Sequence, residues 1–144
     1  MSEPHSSSSP HRLAPFNPTH PDGVAVALRL LDLGPADLLV DLGCGDGRLL
    51  VEAARVHGCR ARGVESCPEL CERAQRAAAE AAVAVQVVQG DAVEHDISDA
   101  TAIFVYLVPA GLLLLLPRLT EALGRGARVV SYGDATSPPS THHT

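Results

Sequence analysis

Apolar positions follow two alternating rhythms along this chain. Between residues 21 and 33 they recur at helical spacing, so that Val24, Ala27, Leu28 and Leu31 share one face. Thr19 and Asp22 have the spacing of a capping box, Pro21 falls in the first turn, and Gly34-Pro35 ends the segment. A short apolar run at 38–42 then reads as a strand buried on both faces, and 61–64, 83–88, 101–106 and 127–131 read as four further strands. The intervening stretches 48–57 and 68–82 return to helical spacing. In the second, Leu70, Ala74, Ala77, Ala78 and Ala81 face inward, and Glu69–Arg73 and Glu72–Arg76 form outward i,i+4 pairs. Strands alternating with helices predict an α/β fold. It is a Rossmann-like, doubly wound parallel sheet of about five strands with right-handed crossovers.

Residues 102–116, AIFVYLVPAGLLLLL, are almost wholly apolar, but a membrane span needs about 20 such residues. Pro109 and Gly111 interrupt the run, and Arg118 and Glu121 follow it. It is expected to be a buried strand leading into a helix kinked at Pro117.

The chain has 144 residues, enough for one domain, expected over 15–133 between disordered tails at 1–14 and 134–144. It has no Trp, and its aromatic residues are Phe16, Phe104, Tyr106 and Tyr132, so the core is built from Ala, Leu and Val. The net charge is −6, without a basic cluster, which argues against nucleic acid as a partner. Small cationic ligands and basic protein surfaces remain. Cys44, Cys59, Cys67 and Cys71 do not have zinc-ligand spacing and are expected to be reduced thiols. His57 closes a helix, and His95 lies near Asp91 and Asp96; no metal site is expected at either.

The stretch VDLGCGDGRLL, residues 40–50, carries the chemistry. Three glycines, Gly43, Gly45 and Gly47, lie between the first strand and its helix, at the carboxyl end of the sheet where such folds bind ligands. A plain βα turn needs fewer glycines. A dinucleotide loop has the spacing G-x-G-x-x-G and sets a pyrophosphate on the helix N-terminus. Here the spacing is G-x-G-x-G, with Asp41 before it and Asp46 inside it. Those carboxylates repel phosphate and suit S-adenosylmethionine (SAM), which carries a sulfonium and an ammonium. Glu65 ends the second strand, where an acid binds ribose hydroxyls, although NAD enzymes place one there too. QGDA, residues 89–92, follows the third strand, where Asp91 and the Ala92 backbone have the chemistry to meet an adenine; Asp91 is equally suited to a turn.

These residues resemble the class I SAM-dependent methyltransferases, through DLGCGDGR above all. PFNPT at 15–19, DATAIFVYLVPAGL and RGARVVSY resemble a smaller group. That group includes the mitochondrial lysine methyltransferases acting on the ATP synthase c subunit and their bacterial relatives. The resemblance implies that Asp41, Gly43, Gly45 and Gly47 cradle the methionine part of SAM, with Asp46 beside it. It implies Glu65 on the ribose, Asp91 with Ala92 on the adenine, and an N-terminal segment with Thr19 folded over the cofactor; Thr19 is equally read as a helix cap. Base-modifying enzymes place Asp/Asn-Pro-Pro-aromatic after the fourth strand, where this chain has Val105-Tyr106-Leu107-Val108-Pro109. Tyr106 is therefore the candidate for holding an acceptor, a protein lysine, although a core role is equally open to it.

The resembled fold ends in a two-strand hairpin. Only YGDATSPPSTHHT follows Ser131, so the sequence predicts a truncated sheet lacking that hairpin. Residues 127–131 become an exposed edge through which chains can associate. The expected function is SAM-dependent protein-lysine methylation. A SAM-binding but inactive truncated module and, remotely, an NAD-linked oxidoreductase stand as alternatives. A cytoplasmic location is expected, with a mitochondrial one implied by the resemblance.

Overall fold

The computed structural model describes residues 21–106, 109–132 and 140–142. Thr19 and the expected tail at 1–14 lie outside the described residues. Helix α1 (Pro21–Leu31) precedes strand β1 (Leu38–Leu42), α2 (Arg48–His57) and β2 (Arg60–Glu65). Then come α3 (Pro68–Ala81), β3 (Val85–Gln89), β4 (Ala102–Tyr106), α4 (Pro109–Gly124), β5 (Arg128–Tyr132) and β6 (Ser140–His142). The strand order is β3-β2-β1-β4-β5-β6. The first five strands are parallel, and β6 pairs antiparallel with β5, Val130 opposite Thr141. Strand order reverses at β1 and β4, which places the switch point at their carboxyl ends.

Each expected strand and helix is present, with ends shifted by a residue or two. β6 corrects two expectations: residues 140–142 of the expected disordered tail form a strand, and β5 is an interior strand, not an open edge. Backbone hydrogen bonding is blind to the side chains of a Ser/Thr/His segment, so a strand can form where the apolar pattern is silent.

β1 is buried along its whole length, Asp41 included, as suits a central strand covered on both faces. On one face of the sheet Val24, Ala27, Leu28 and Leu31 of α1 pack with Leu49, Leu50 and Ala53 of α2 and Ala74 of α3, against Leu39, Ala61 and Phe104. On the other face Leu115, Leu119 and Ala122 of α4 join Ala92, Ile97 and Ala100 over Val40, Leu42, Val64 and Ile103. The β3–β4 connection has no helix, so its carbonyls need other donors. Arginines supply them. Arg118 donates to Val93 O, and Arg125 to the carbonyls of Ile97 and Ala100. Arg62 of β2 reaches Asp99, the Asp96 carbonyl and His95 Nε2. Burial, Arg62 and Arg118 hold the His95 pKa below its usual value, consistent with a neutral ring accepting from Arg62.

The amino ends of the strands are tied by Asp37. Its carboxylate accepts from Gly34 N–H at 2.8 Å and from the Thr101 hydroxyl at 2.7 Å, and lies 2.8 Å from Arg128. Thr101 Oγ1 accepts Leu38 N–H at 2.9 Å, and Arg128 Nε donates to Leu31 O at the end of α1. Burial acts to raise the Asp37 pKa, but the hydrogen bonds from Thr101 and Gly34 and the Arg128 charge outweigh it and hold it below 3.8. A lowered folded-state pKa contributes stability above the unfolded value and loses it as pH falls through the folded one. Asp37→Asn is therefore expected to lower unfolding stability by about 1–2 kcal/mol at pH 7. The gap to wild type should narrow on acidification below about pH 4 in denaturant titrations; a gap independent of pH would contradict the brace.

Candidate functional site

The chain leaves β1 at Leu42 and enters α2 at Arg48, so residues 43–47 must reverse it within a few ångströms of the sheet. Gly43, Gly45 and Gly47 do so at φ 86°, 58° and 84°, in the region that side chains disfavour. Gly47 is constrained a second time: a Cβ there would lie 2.9 Å from Ala74 Cβ, so the bare residue lets α2 start against α3.

The loop hangs on the end of β2. Gly43 and Cys44 donate their N–H groups to Val64 O at 2.8 and 3.0 Å, and Gly45 donates to Glu65 Oε1 at 2.8 Å. Glu65 Oε2 accepts Cys67 N–H at 3.0 Å, at the start of α3. Both oxygens of this buried carboxylate thus hold main-chain donors, which offsets the cost of burying its charge. Each oxygen keeps a further lone pair for a ligand hydroxyl.

Asp41 lies in the same row across the sheet as Gly63 of β2 and Phe104 of β4. It is 3% exposed, and its Oδ1 has no hydrogen-bond partner among the described residues. Burial first, then the nearby Glu65 and Asp46, raises its pKa from 3.8 to about 8. Burial thus favours the neutral form, and a cation or N–H donor placed there favours the charged one.

Asp46, expected beside the ligand, is engaged with the residue that opens α2. It pairs with Arg48 at 2.9 Å and also accepts the Arg48 N–H at 3.3 Å, while still adding to the field at Asp41.

After β3, Gly90 N–H donates to Glu65 O at 3.0 Å, which draws the third turn alongside the first two. Asp91 shapes this turn: Oδ1 accepts Val93 N–H at 2.9 Å, and its carbonyl accepts from Glu94 and His95. Ala92 is buried with Leu42 and Val64. Asp41, Glu65 and Asp91 thus stand in or just beyond the carboxyl ends of three adjacent strands, β1, β2 and β3. Tyr106 ends β4 opposite Tyr132 of β5, at that same end of the sheet; its side chain, like Thr19, lies outside what is described. The four cysteines are free and buried, and burial raises each thiol's pKa, which makes them poor nucleophiles. A separate groove of about 570 Å³ runs between α1, α2 and α3 and is lined by Val24, Leu28, Asp46, Arg48, Val51 and Ala77. Asp41, Glu65 and Asp91 do not line it.

Two supports escaped the sequence reading. The Val64 carbonyl and the Cys67 N–H are main-chain groups and leave no trace in residue type. Gly63 left a weak signal, a lone glycine inside a strand.

The family model for the ANTKMT methyltransferase domain matches residues 41–133. A protein-lysine N-methyltransferase of Saccharolobus islandicus is 34% identical over 126 residues, covering 85% of this chain and 77% of that protein. Among solved structures, an RNA methyltransferase from Salinibacter ruber in complex with S-adenosylhomocysteine is similar at 44% identity and a TM-score of 0.76. That match covers 80% of this chain and 76% of that one. A SAM-dependent methyltransferase from Geobacter sulfurreducens, also with S-adenosylhomocysteine, matches at 26% identity and a TM-score of 0.68, over 88% of this chain and 51% of that one.

The Asp41 environment has a measurable consequence without any ligand. Its folded-state pKa lies above the unfolded value of 3.8, so its contribution to stability is fully present below that value and is lost as pH rises through about 8. Asp41→Asn keeps the shape and removes the titration. Ligand-free wild type is expected to lose stability relative to the variant between about pH 5 and 8, with the variant melting higher at pH 8. Parallel melting curves across that range would show that Asp41 is ionised and compensated.

Proposed function

The chain belongs to the ANTKMT methyltransferase domain family, among the class I SAM-dependent methyltransferases, and from that premise we propose that it transfers the SAM methyl group to a lysine amine on a protein. The observation that carries the acceptor is the relative named for protein-lysine N-methylation, which aligns along most of both chains.

The residues present fit SAM. The oxygen of Asp41 that has no partner among the described residues suits a donor or a cation, and the left-handed glycines leave the loop without side chains where the ligand would approach. Asp41 and the loop Gly43, Gly45 and Gly47 would hold the methionine part, with Asp46 fixing the loop through Arg48. Glu65 would accept the ribose hydroxyls on its remaining lone pairs, and Asp91 with Ala92 would meet the adenine. Thr19 is proposed to cover the cofactor from the N-terminal side.

Bound SAM supplies a methyl group on a cationic sulfur, activated towards attack by a lone pair. What remains for the protein is alignment and exclusion of water. A lysine amine must arrive unprotonated, against its ordinary pKa of about 10.4. An apolar approach lowers that pKa by desolvating the ammonium form. Tyr106, at the end of β4, is proposed to hold the amine by its ring face or hydroxyl. The amine nitrogen gains the methyl carbon as the carbon–sulfur bond breaks, and the nitrogen then sheds a proton to water.

A second reading has one observation in its favour: the similar structure from Salinibacter ruber is named an RNA methyltransferase. The net charge of −6 and the absence of an Asp/Asn-Pro-Pro segment after β4 weigh against it. Incubation with methyl-labelled SAM and a cell extract separates the readings. Label is expected in protein, released by protease and recovered as methyl-lysine after hydrolysis. Label lost to ribonuclease would favour RNA. SAM binding without transfer to either would favour the inactive module.

A further inference from the structure

We propose that Gly63 of β2 is a positioning residue for the cofactor, because the side chain it lacks is the seat of Cys44 and so fixes the glycine loop. The proposal rests on reading that loop as the SAM site.

Gly63 does not need to be glycine for its backbone. It lies outside the left-handed region that Gly43, Gly45 and Gly47 occupy, in regular parallel pairing with Asp41 on one side and Val87 on the other. A strand interior ordinarily favours a β-branched residue, and glycine weakens it. What requires glycine is space. A Cβ at position 63 would lie 2.4 Å from Leu50 Cδ1, 2.6 Å from Cys44 Sγ and 2.9 Å from Cys44 Cβ.

These contacts are unequal. Leu50 Cδ1 is the free end of a side chain on α2 and can turn aside. Cys44 Cβ is one bond from a backbone that is hydrogen-bonded on both sides of it. The Cys44 and Gly43 N–H groups share Val64 O, and the next residue, Gly45, is held by Glu65 Oε1. A methyl group at 63 therefore lifts Cys44 only by lengthening those bonds. Three consecutive residues of β2 set the loop: Gly63 gives Cys44 its depth, the Val64 carbonyl holds two amides, and Glu65 holds a third. The same row contains Asp41, so the seat also fixes the loop relative to the buried carboxyl beneath it.

The test compares Gly63→Ala in three backgrounds: wild type, Leu50→Ala and Cys44→Gly. Two readings are taken on folded protein: SAM affinity by calorimetry, and exchange of the Gly45 amide without ligand. Displacing the loop by about 1 Å is expected to weaken SAM about 10–100-fold. In the Leu50→Ala background, where the nearest contact is gone and folding is relieved, that loss should persist and the Gly45 amide should exchange faster. In the Cys44→Gly background, which opens the seat, the loss due to Gly63→Ala should largely vanish. In turnover the change should fall on KM for SAM more than on kcat. If Gly63→Ala lowers the melting temperature but leaves SAM affinity and Gly45 exchange unchanged, Gly63 is merely a core residue and the proposal fails. It fails equally if Leu50→Ala abolishes the loss and Cys44→Gly does not. Wild-type protein that binds no SAM would refute the cofactor reading, while the Gly45 amide would still report on the seat.

Discussion

Glu65 holds Gly45 N–H with one carboxylate oxygen and Cys67 N–H with the other, while its own carbonyl receives Gly90 N–H. Three chain reversals, after β1, β2 and β3, therefore meet at one residue. Loops at the end of a parallel sheet have no ladder to order them, and each leaves amides that must find acceptors. A buried carboxylate supplies several lone pairs at a single point and makes strong, short bonds to N–H groups. The left-handed glycines, the start of α2 and the start of α3 all take their positions relative to this point.

The two ends of the sheet treat polar groups in opposite ways. At the amino ends, Asp37 is matched by Thr101, Gly34 and Arg128, its carboxyl is held below its ordinary pKa, and the charges serve to join α1, β1, β4 and β5. At the carboxyl ends, Asp41 is buried near another acid with an oxygen that has no partner among the described residues, and its pKa is raised. The first arrangement is complete by itself. The second leaves a buried polar atom for which a donor or a cation would be favourable. The arginines that brace the β3–β4 connection hold it without a crossover helix, and Asp91 stands just beyond β3 at the same end of the sheet as the other two acids.

The sequence by itself determined the elements and the ligand class. The apolar run of β1 is satisfied by a central strand covered on both faces, and the 3.6-residue spacing of α1 to α3 by helices lying on the sheet. The glycine triplet with Asp41, Glu65 and Asp91 after successive strands was legible because topology alone sends those positions to one end of a parallel sheet. The tertiary structure decided what depends on partners distant in the chain. It paired β6 with β5 through backbone groups that carry no apolar signal. It turned Asp46 towards Arg48, since a carboxylate takes the nearest guanidinium when one is in reach. It also gave Gly63 its meaning, because the atoms that exclude a side chain there belong to Cys44 and Leu50, which lie far from it in sequence and reach it only once α2 has packed on the sheet.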